Sequence, residues 1–327
     1  MKTIVSLFGE NSPIFDDLNR RAEAHAASRG FRYIWAPQNP FDEADVIARL
    51  KEADAGIIDV EPYGEPIFSK IEGGPGILVR FGVGYDKVDL SAASRHGIAV
   101  ARTTGANTMG VAEMALTLIL ASRRELGRNR VAVNTGKWAK NVANETALGT
   151  VGILGFGAIG QTLAGFLSGL RCRVVAYDPF PNEARARELG VELADIDTLF
   201  SVSDAISVHT PYSKETHHLV NAEKLAKMKP TAVIVNTARG NIIDEDALYD
   251  ALSSGQIRGA GLDVYSVEPY PGNSKLSTLD NIILTPHVSS MTYESLWRTY
   301  EMAIDIAADF CEGKESPHIL NPDYKNK

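Results

Sequence analysis

The feature that most constrains the fold of this 327-residue chain is a glycine-rich turn between an apolar run and a helix-like run. The apolar run leads directly into Gly155-x-Gly157-x-x-Gly160, and the stretch after it has the pattern of a helix. Such a turn lets backbone N–H groups approach a phosphate, while the helix N-terminus supplies partial positive charge. The arrangement predicts a dinucleotide site that includes Gly155, Gly157, Ala158, Ile159 and Gly160.

An acidic residue ends the second predicted strand of this unit. Asp178 follows the run 173–177 and stands 18 residues beyond Gly160, where a carboxylate binds the adenosine ribose hydroxyls. The same carboxylate would repel a 2′-phosphate, so we expect NAD rather than NADP as the cofactor. A glycine-rich packing turn without a ligand is the alternative, which the flanking strand, helix and acid disfavour.

Polar residues also follow two later strands of the same predicted sheet. His209-Thr210-Pro211 follows one predicted strand, and the segment Asn236-Thr237-Ala238-Arg239-Gly240 follows another. Ligands of doubly wound sheets bind at the carboxyl ends of the strands, so we expect these residues to line the cofactor site. For Thr210 or Thr237 taken alone, a plain loop cap is the alternative.

Short β-rich runs alternate with longer amphipathic runs, which predicts two α/β domains with doubly wound parallel sheets. A long Ala/Leu-rich helix at 107–124 and a polar, loop-rich stretch at 129–148 separate the two sets of strands. The predicted strands are 3–8, 32–35, 56–60, 77–80 and 98–102, then 150–154, 173–177, 205–209, 232–236, 259–264 and 282–284. A lone amphipathic helix at 292–312 should return to the first domain. The predicted domains are therefore 1–103 plus 289–327, and 104–288.

Composition and charge argue against several classes of protein. Apolar residues make up 44% of the chain and charged residues 23%, which is ordinary for a globular protein. The net charge of -8 argues against nucleic-acid binding and against an anionic membrane surface. No apolar run reaches the roughly 18 residues that a membrane span needs. Cys172 and Cys311 are too few for a disulfide framework or a zinc site, so we expect a soluble, cytoplasmic protein without a bound metal.

Three residues suited to catalysis follow strands of the second predicted sheet. They are Arg239, Glu268 and His287. The planar guanidinium of arginine binds a carboxylate bidentately, and histidine is the natural proton donor near neutral pH. A carboxylate beside the imidazole would fix its tautomer and stabilise the imidazolium. With NADH, this set can reduce a 2-oxo acid; for His287 alone, a capping histidine after Thr285-Pro286 is the alternative.

Six ordered stretches together resemble the D-isomer-specific 2-hydroxyacid dehydrogenases along essentially the whole chain. They are RFGVGYDKVDL (80–90), NTMGVAEMAL (107–116), GILGFGAIGQ (152–161) with Asp178, NTARGNIIDEDAL (236–248), GLDVYSVEP (261–269) and TPHVSS (285–290). The resemblance implies a flavodoxin-like substrate domain with a Rossmann NAD-binding domain inserted into it. It also implies NAD as the cofactor, a small 2-oxo or 2-hydroxy acid as the substrate, and a homodimer with the helix 107–124 at its interface.

The resemblance also implies a role for each matching residue. Arg239 would bind the substrate carboxylate and orient the carbonyl, while His287 would be the acid/base with Glu268 as its partner. An anion-binding nest for the substrate carboxylate would consist of the backbone N–H groups of Gly82, Val83 and Gly84. The residues implied at the NAD site are Thr108, His209, Thr237, Ala238 and Asp263, the last near the nicotinamide amide.

Departures from the family pattern narrow the expected substrate. Glu268 stands where formate dehydrogenases have Gln, and Ser289-Ser290 stands where the family often has Gly or Ala. The stretch 59–70 is acidic where phosphoglycerate-type enzymes supply Arg, which argues against a phosphorylated substrate. Glu61 and Tyr63 would then meet a neutral or hydroxylated side chain, or be plain surface residues. A D-3-phosphoglycerate dehydrogenase and a non-enzymatic NAD-sensing protein of the corepressor type are the alternative functions.

Overall fold

The chain divides into two compact units in the computed structural model, which describes residues 1–326. Unit 1 consists of Met1–Asn107 and the described residues from Thr292 onward, and unit 2 is Thr108–Met291. The boundaries expected from the sequence, after 103 and after 288, fall a few residues earlier. Ser289 belongs with unit 2 because its backbone N–H donates to Asp263 at 2.8 Å.

Residues 1–326 form twelve β-strands and twelve α-helices. The strands are β1 (Thr3–Ser6), β2 (Arg32–Trp35), β3 (Ala55–Ile58), β4 (Ile77–Arg80), β5 (Ala99–Arg102), β6 (Thr150–Leu154), β7 (Arg173–Tyr177), β8 (Glu192–Leu193), β9 (Ala205–Val208), β10 (Val233–Asn236), β11 (Gly259–Leu262) and β12 (Ile282–Leu284). The helices are α1 (Pro13–Ser28), α2 (Glu43–Lys51), α3 (Glu65–Phe68), α4 (Leu90–Arg95), α5 (Thr108–Arg123), α6 (Leu126–Asn134), α7 (Ala158–Gly169), α8 (Glu183–Leu189), α9 (Ile196–Val202), α10 (Ala222–Ala226), α11 (Glu245–Ser253) and α12 (Tyr293–Cys311).

Unit 1 contains a five-stranded parallel sheet in the order β2-β1-β3-β4-β5, which is the flavodoxin-like order. Every residue of β3 and β4 is buried, because helices cover both faces of a parallel sheet. Helices α1 and α12 cover one face, where Leu18, Tyr300 and Ile304 belong to the same apolar core. Helices α2, α3 and α4 contribute to the core on the other face.

Unit 2 contains a seven-stranded parallel sheet in the order β12-β11-β10-β9-β6-β7-β8. The strand order reverses between β6 and β9, and ligands of doubly wound sheets bind at such a switch point. Helix α5 packs against this sheet, and a Cβ at Gly261 would already lie 3.1 Å from the Leu118 side chain. Glycine at this position therefore lets helix and strand approach closely. The prediction of two doubly wound parallel-sheet domains is confirmed.

The stretch 129–148, predicted to be loop-rich, begins within a helix. Helix α6 starts after Glu125, whose φ of 51° turns the chain sharply at the end of α5. Only Ala132 of this helix is buried, while Val131 and Val133 are 50% and 61% exposed. The helix therefore lacks the apolar stripe by which amphipathic helices are recognised from sequence.

Candidate active site

The phosphate cradle begins where β6 ends. Gly155 has a φ of 101°, which L side chains rarely adopt, and a Cβ there would lie 2.6 Å from the Thr210 backbone nitrogen. A Cβ at Gly160 would lie 2.4 Å from the Gly155 carbonyl oxygen, so glycine lets α7 pack this close to β6. At Gly157, which caps α7, a Cβ would meet no atom of the described residues within 4 Å. The turn therefore leaves room for a phosphate at the N-terminus of α7.

Asp178 lies beside the same turn, directly after β7. Its carboxylate accepts hydrogen bonds from the backbone N–H of Phe156 at 2.8 Å and from that of Phe180 at 2.9 Å. The bond to Phe156 ties the acid to the glycine-rich turn itself. A carboxylate fixed at the end of the second strand is suited to binding ribose hydroxyls.

Three buried polar atoms at the ends of β9 and β10 have no hydrogen-bond partner within the described part of the chain. They are His209 Nδ1, Thr210 Oγ1 and Thr237 Oγ1. His209 Nε2 lies 2.8 Å from Ser207 Oγ, and burial lowers the pKa of His209 to about 4, so its ring is neutral near pH 7. A buried polar group left unpaired costs about 1–3 kcal/mol. This edge of the sheet therefore fits a ligand rich in hydroxyl and amide groups, as a dinucleotide is.

Arg239 follows β10 on a turn that Asn236 stabilises. The Asn236 side chain is buried; its Nδ2 donates to the Arg239 carbonyl at 2.9 Å, and its Oδ1 accepts from the Ala238 N–H at 2.9 Å. The Arg239 guanidinium donates back to the Ala238 carbonyl at 2.7 Å. The sequence predicted Asn236 only as part of the polar segment 236–240 at this strand end, and the role of its side chain in holding the turn was not predicted.

Glu268 and His287 form a hydrogen-bonded pair. His287 Nδ1 lies 2.8 Å from Glu268 Oε2, and Glu268 Oε1 accepts from the Tyr265 N–H at 3.0 Å. Burial alone would raise the pKa of Glu268, but its hydrogen bond to His287 and the charge of that ring outweigh burial and lower the pKa below its ordinary value. Glu268 is therefore ionised near pH 7. It accepts from Nδ1–H and leaves Nε2 to exchange a proton with a ligand.

The loop that carries His287 is held by Asp263, which is fully buried after β11. Asp263 Oδ1 accepts from Thr285 Oγ1 at 2.6 Å and from the Val288 N–H at 2.9 Å. Its Oδ2 accepts from the Ser289 N–H at 2.8 Å and from the Ser289 hydroxyl. These bonds lie on both sides of His287, whose φ is 54°. Asp263 therefore stabilises a left-handed conformation that a non-glycine residue adopts only when its surroundings impose it.

Gly240 lets the segment of Arg239 pack against the loop after β11. A Cβ at Gly240 would lie 1.8 Å from the Tyr265 carbonyl carbon and 2.3 Å from the Ser266 nitrogen, so no side chain fits there. The Tyr265 hydroxyl in turn donates to the Thr285 carbonyl at 2.8 Å. Gly240 was expected only as part of the segment 236–240 at the strand end, and its packing role was not predicted. Tyr265 was not predicted as a site residue, because its side chain does not suggest catalysis.

The predicted carboxylate nest lies in unit 1, in the loop after β4. Gly82 has a φ of 128°, and its N–H donates to Thr103 Oγ1 at 2.8 Å. That bond occupies one of the three predicted amides and leaves Val83 and Gly84 as the candidate donors. The Arg80 guanidinium lies against this loop, since a Cβ at Gly82 would be 2.8 Å from Arg80 Nη1.

The predicted residues of unit 2 follow the carboxyl ends of its strands. Arg239, Glu268 and His287 follow β10, β11 and β12, which are neighbours in the sheet. The glycine cradle, Asp178 and the segment with His209, Thr210 and Pro211 follow β6, β7 and β9. Thr108 is the first residue of α5. The three residues of the predicted nest belong to unit 1.

Unit 2 has a doubly wound sheet, a glycine cradle suited to a phosphate, and Asp178, which is placed to bind ribose hydroxyls. It also carries the hydrogen-bonded pair of His287 and Glu268. Together these features define it as the dinucleotide-binding domain of an oxidoreductase. Residues 116–289 match the family model described as "D-isomer specific 2-hydroxyacid dehydrogenase, NAD binding domain". The chain belongs to this family, as its sequence motifs predicted.

Named relatives extend the similarity to both units. A glyoxylate reductase of Korarchaeum cryptofilum is 35% identical over 297 residues, which cover 88% of this chain and 89% of that protein. A hydroxypyruvate reductase of Thermotoga maritima is 44% identical over 223 residues, or 67% of this chain and 72% of that one. The apo structure of D-lactate dehydrogenase from Escherichia coli superposes with a TM-score of 0.84 at 29% identity, covering 98% of this chain and 100% of that chain.

The family confirms the expected activity and the expected cofactor. The protein is an NAD-dependent dehydrogenase that interconverts a 2-oxo acid and a D-2-hydroxy acid. Within residues 1–326, no helix combines the length and the apolar character that crossing a bilayer requires. In the same residues, no three histidine, cysteine, aspartate or glutamate side chains come together as a metal site would require.

Proposed function

We propose that this enzyme reduces a short 2-oxo acid and that His287 is its proton donor. The observation that carries the proposal is the 2.8 Å hydrogen bond from His287 Nδ1 to Glu268 Oε2. It fixes the ring orientation and leaves Nε2 as the proton-exchanging atom. Bound NADH supplies the hydride. The carbonyl carbon of the substrate gains that hydride, its oxygen gains the proton from Nε2, and a D-2-hydroxy acid results.

Arg239 is the proposed anchor for the substrate carboxylate. Its planar guanidinium donates two parallel hydrogen bonds to a carboxylate and polarises an adjacent carbonyl. We assign substrate binding to unit 1 as well, through the backbone N–H groups of Val83 and Gly84. Unit 2 holds NAD through its glycine cradle and Asp178. Thr108, Thr210 and Thr237 are the proposed hydroxyl contacts on that side.

A panel of 2-oxo acids tests this function directly. Oxidation of NADH by the pure protein would be followed with pyruvate, glyoxylate, hydroxypyruvate, branched and aromatic 2-oxo acids, and 3-phosphohydroxypyruvate. We expect turnover of the short acids, which the names of the Korarchaeum and Thermotoga relatives also favour. A chain that binds NADH tightly and reduces none of them would contradict the proposal and favour a sensor.

Replacing Glu268 by glutamine should change the pH dependence of reduction. Glu268 is ionised near pH 7 because its pKa lies below the ordinary value, and its carboxylate lies 2.8 Å from His287 Nδ1. Glutamine carries no charge to stabilise the imidazolium that donates the proton, so kcat/KM near pH 7 should fall about tenfold. The loss should vary with pH, because the charge of Glu268 itself depends on pH. kcat/KM would be measured from pH 5 to 10, and a profile identical to that of the wild type would separate Glu268 from the proton transfer.

Replacing Asp263 by asparagine tests whether this residue positions His287 or contacts the cofactor. An amide nitrogen in place of one carboxylate oxygen would oppose the donors of Val288 or Ser289. If Asp263 acts through the loop, kcat should fall about 10–100-fold while the Kd for NADH changes little. A large rise in that Kd with kcat retained would assign Asp263 to the nicotinamide instead. Fluorescence titration of NADH and steady-state kinetics give the two values.

We also propose that the enzyme is a homodimer. Large apolar side chains between α6 and β6 are mostly exposed in the chain alone, with Trp138 at 83%, Val142 at 85% and Leu148 at 72%. A soluble protein usually covers such a segment with a partner. Light scattering should give twice the chain mass of 35.4 kDa, and Trp138→Lys should reduce it to one chain. Phe180→Lys, at another exposed aromatic residue, is the control and should leave the dimer intact.

A cytoplasmic location is the remaining part of the proposal. Cys172 and Cys311 are both free thiols, which suits a reducing compartment. Cell fractionation with an antibody against the protein would test the location.

A further inference from the structure

The loop between β3 and α3 lies alongside the candidate carboxylate nest of unit 1. The Tyr63 N–H donates to the Lys87 carbonyl at 3.0 Å, and the Asp89 N–H donates to the Tyr63 carbonyl at 2.9 Å. At the strand ends, the Phe81 N–H donates to the Ile58 carbonyl at 2.8 Å. These bonds join the segment that contains Glu61 and Tyr63 to the loop that contains the nest. Whatever binds the nest therefore lies next to this segment.

Two buried polar atoms of this segment have no hydrogen-bond partner among the described residues. They are Glu61 Oε2 and Tyr63 Oη, and the Tyr63 side chain is only 1% exposed. Neither atom can recover its lost hydrogen bonds from bulk water. Because an unpaired buried donor or acceptor is unfavourable, both atoms would gain from a ligand that supplies the missing partner.

Charges of both signs surround the two atoms. Burial raises the pKa of Glu61 and the neighbouring Asp59 raises it further, while the charges of Arg80 and Lys87 oppose this rise. Burial also raises the pKa of Tyr63, and so do the charges of Glu61 and Asp59, while Arg80 opposes them. The phenol, both carboxylates and the Arg80 guanidinium thus lie within electrostatic range of one another. Arg80 also lies against Gly82, so this set of four side chains extends as far as the nest.

We propose that Glu61 and Tyr63 select a 2-oxo acid that carries a hydroxyl group on C3. This inference rests on the proposed function and specifies the substrate side chain. A hydroxyl both accepts and donates a hydrogen bond, so it can pair with the Tyr63 O–H and with the Glu61 carboxylate together. A methyl group would leave both atoms unpaired. A phosphate accepts from Tyr63 but has no proton for Glu61, and its charge opposes Glu61 and Asp59.

The test compares three substrates that differ only at C3. They are pyruvate, hydroxypyruvate and 3-phosphohydroxypyruvate, each measured as kcat/KM with saturating NADH. The wild-type enzyme should prefer hydroxypyruvate to pyruvate at least tenfold, since a site built to hydrogen-bond a hydroxyl rejects the analogue that lacks it. In Tyr63→Phe this ratio should fall about tenfold. In Glu61→Gln it should fall as well, and the relative rate with 3-phosphohydroxypyruvate should rise.

Glu65→Gln is the matched control for Glu61→Gln. Glu65 lies in the same unit, and its carboxylate bonds Arg95 and His96 at the surface, so the substrate ratios should stay at the wild-type values. NADH binding by each variant would verify folding. Equal rates with pyruvate and hydroxypyruvate, or a ratio that neither Tyr63→Phe nor Glu61→Gln changes, would overturn the inference while reduction itself stands. Failure to reduce any 2-oxo acid would overturn both the inference and the proposed function.

Discussion

Replacing His287 by alanine should lower the turnover of 2-oxo acid reduction by about 10²–10⁴-fold, the usual contribution of a positioned proton donor. Glu268 holds the His287 side chain through Nδ1. Removing this side chain removes the proton source, so the substrate oxygen no longer gains a proton from Nε2 when the carbonyl carbon gains the hydride. The glycine cradle and Asp178 do not depend on this ring. The Kd for NADH should therefore stay close to the wild-type value, as fluorescence titration would measure.

His218→Ala is a suitable control for this substitution. His218 is also a histidine in unit 2 with a left-handed backbone, at a φ of 50°, and it lies 3.8 Å from an acid, Asp244. It resembles His287 in conformation and charge pairing but does not follow a strand of the catalytic set. Its replacement should leave kcat within a few-fold. Equal losses in both variants, or turnover retained in His287→Ala, would remove His287 from the proton transfer.

Replacing Gly240 by alanine should have the second largest effect. The added Cβ would lie 1.8 Å from the Tyr265 carbonyl carbon and 2.1 Å from its oxygen, and both are backbone atoms. One of the two loops must therefore move, which separates Arg239 from the loop that carries Glu268. Overpacking of this kind typically destabilises by about 1–3 kcal/mol or more. We also expect turnover to fall at least about 100-fold, because small displacements of positioned groups are costly in catalysis.

Urea unfolding and steady-state kinetics on the same preparation would separate the two effects. Gly272→Ala is the control, because a Cβ at Gly272 meets no atom of the described residues within 4 Å. That variant should unfold at the wild-type urea concentration and keep full turnover. If Gly240→Ala behaved in the same way, the close packing of the loops after β10 and β11 would not matter for activity.

The sequence predicted those parts of the molecule that depend on local pattern. Parallel strands buried on both faces read as continuous apolar runs, and so β3, β4 and β10 stand close to their expected positions. The glycine cradle was equally visible, because its function requires glycine at a fixed spacing. Arg239, Glu268 and His287 were recognisable because polar residues of these types directly follow or lie just beyond apolar strands.

What the sequence could not show depends on contacts between distant segments. The four hydrogen bonds that Asp263 accepts from Thr285, Val288 and Ser289 join two loops that are separate in the chain. The requirement for glycine at 240 arises from the backbone of Tyr265 and Ser266, which lie in another loop. Helix α6 escaped prediction because its apolar side chains point to solvent. In each case the decisive neighbour is set by the tertiary fold.

The burial of His209 has a consequence for the acid tolerance of the enzyme. Its pKa falls from an ordinary 6.5 to about 4 in the folded chain, so the unfolded chain binds the proton more readily. The stability that this neutral ring contributes is complete above about pH 6.5 and is lost as the pH falls towards 4. His209 lies beside the cradle, so acid would weaken the cofactor domain itself. A decline of activity in that range would then report partial unfolding of unit 2.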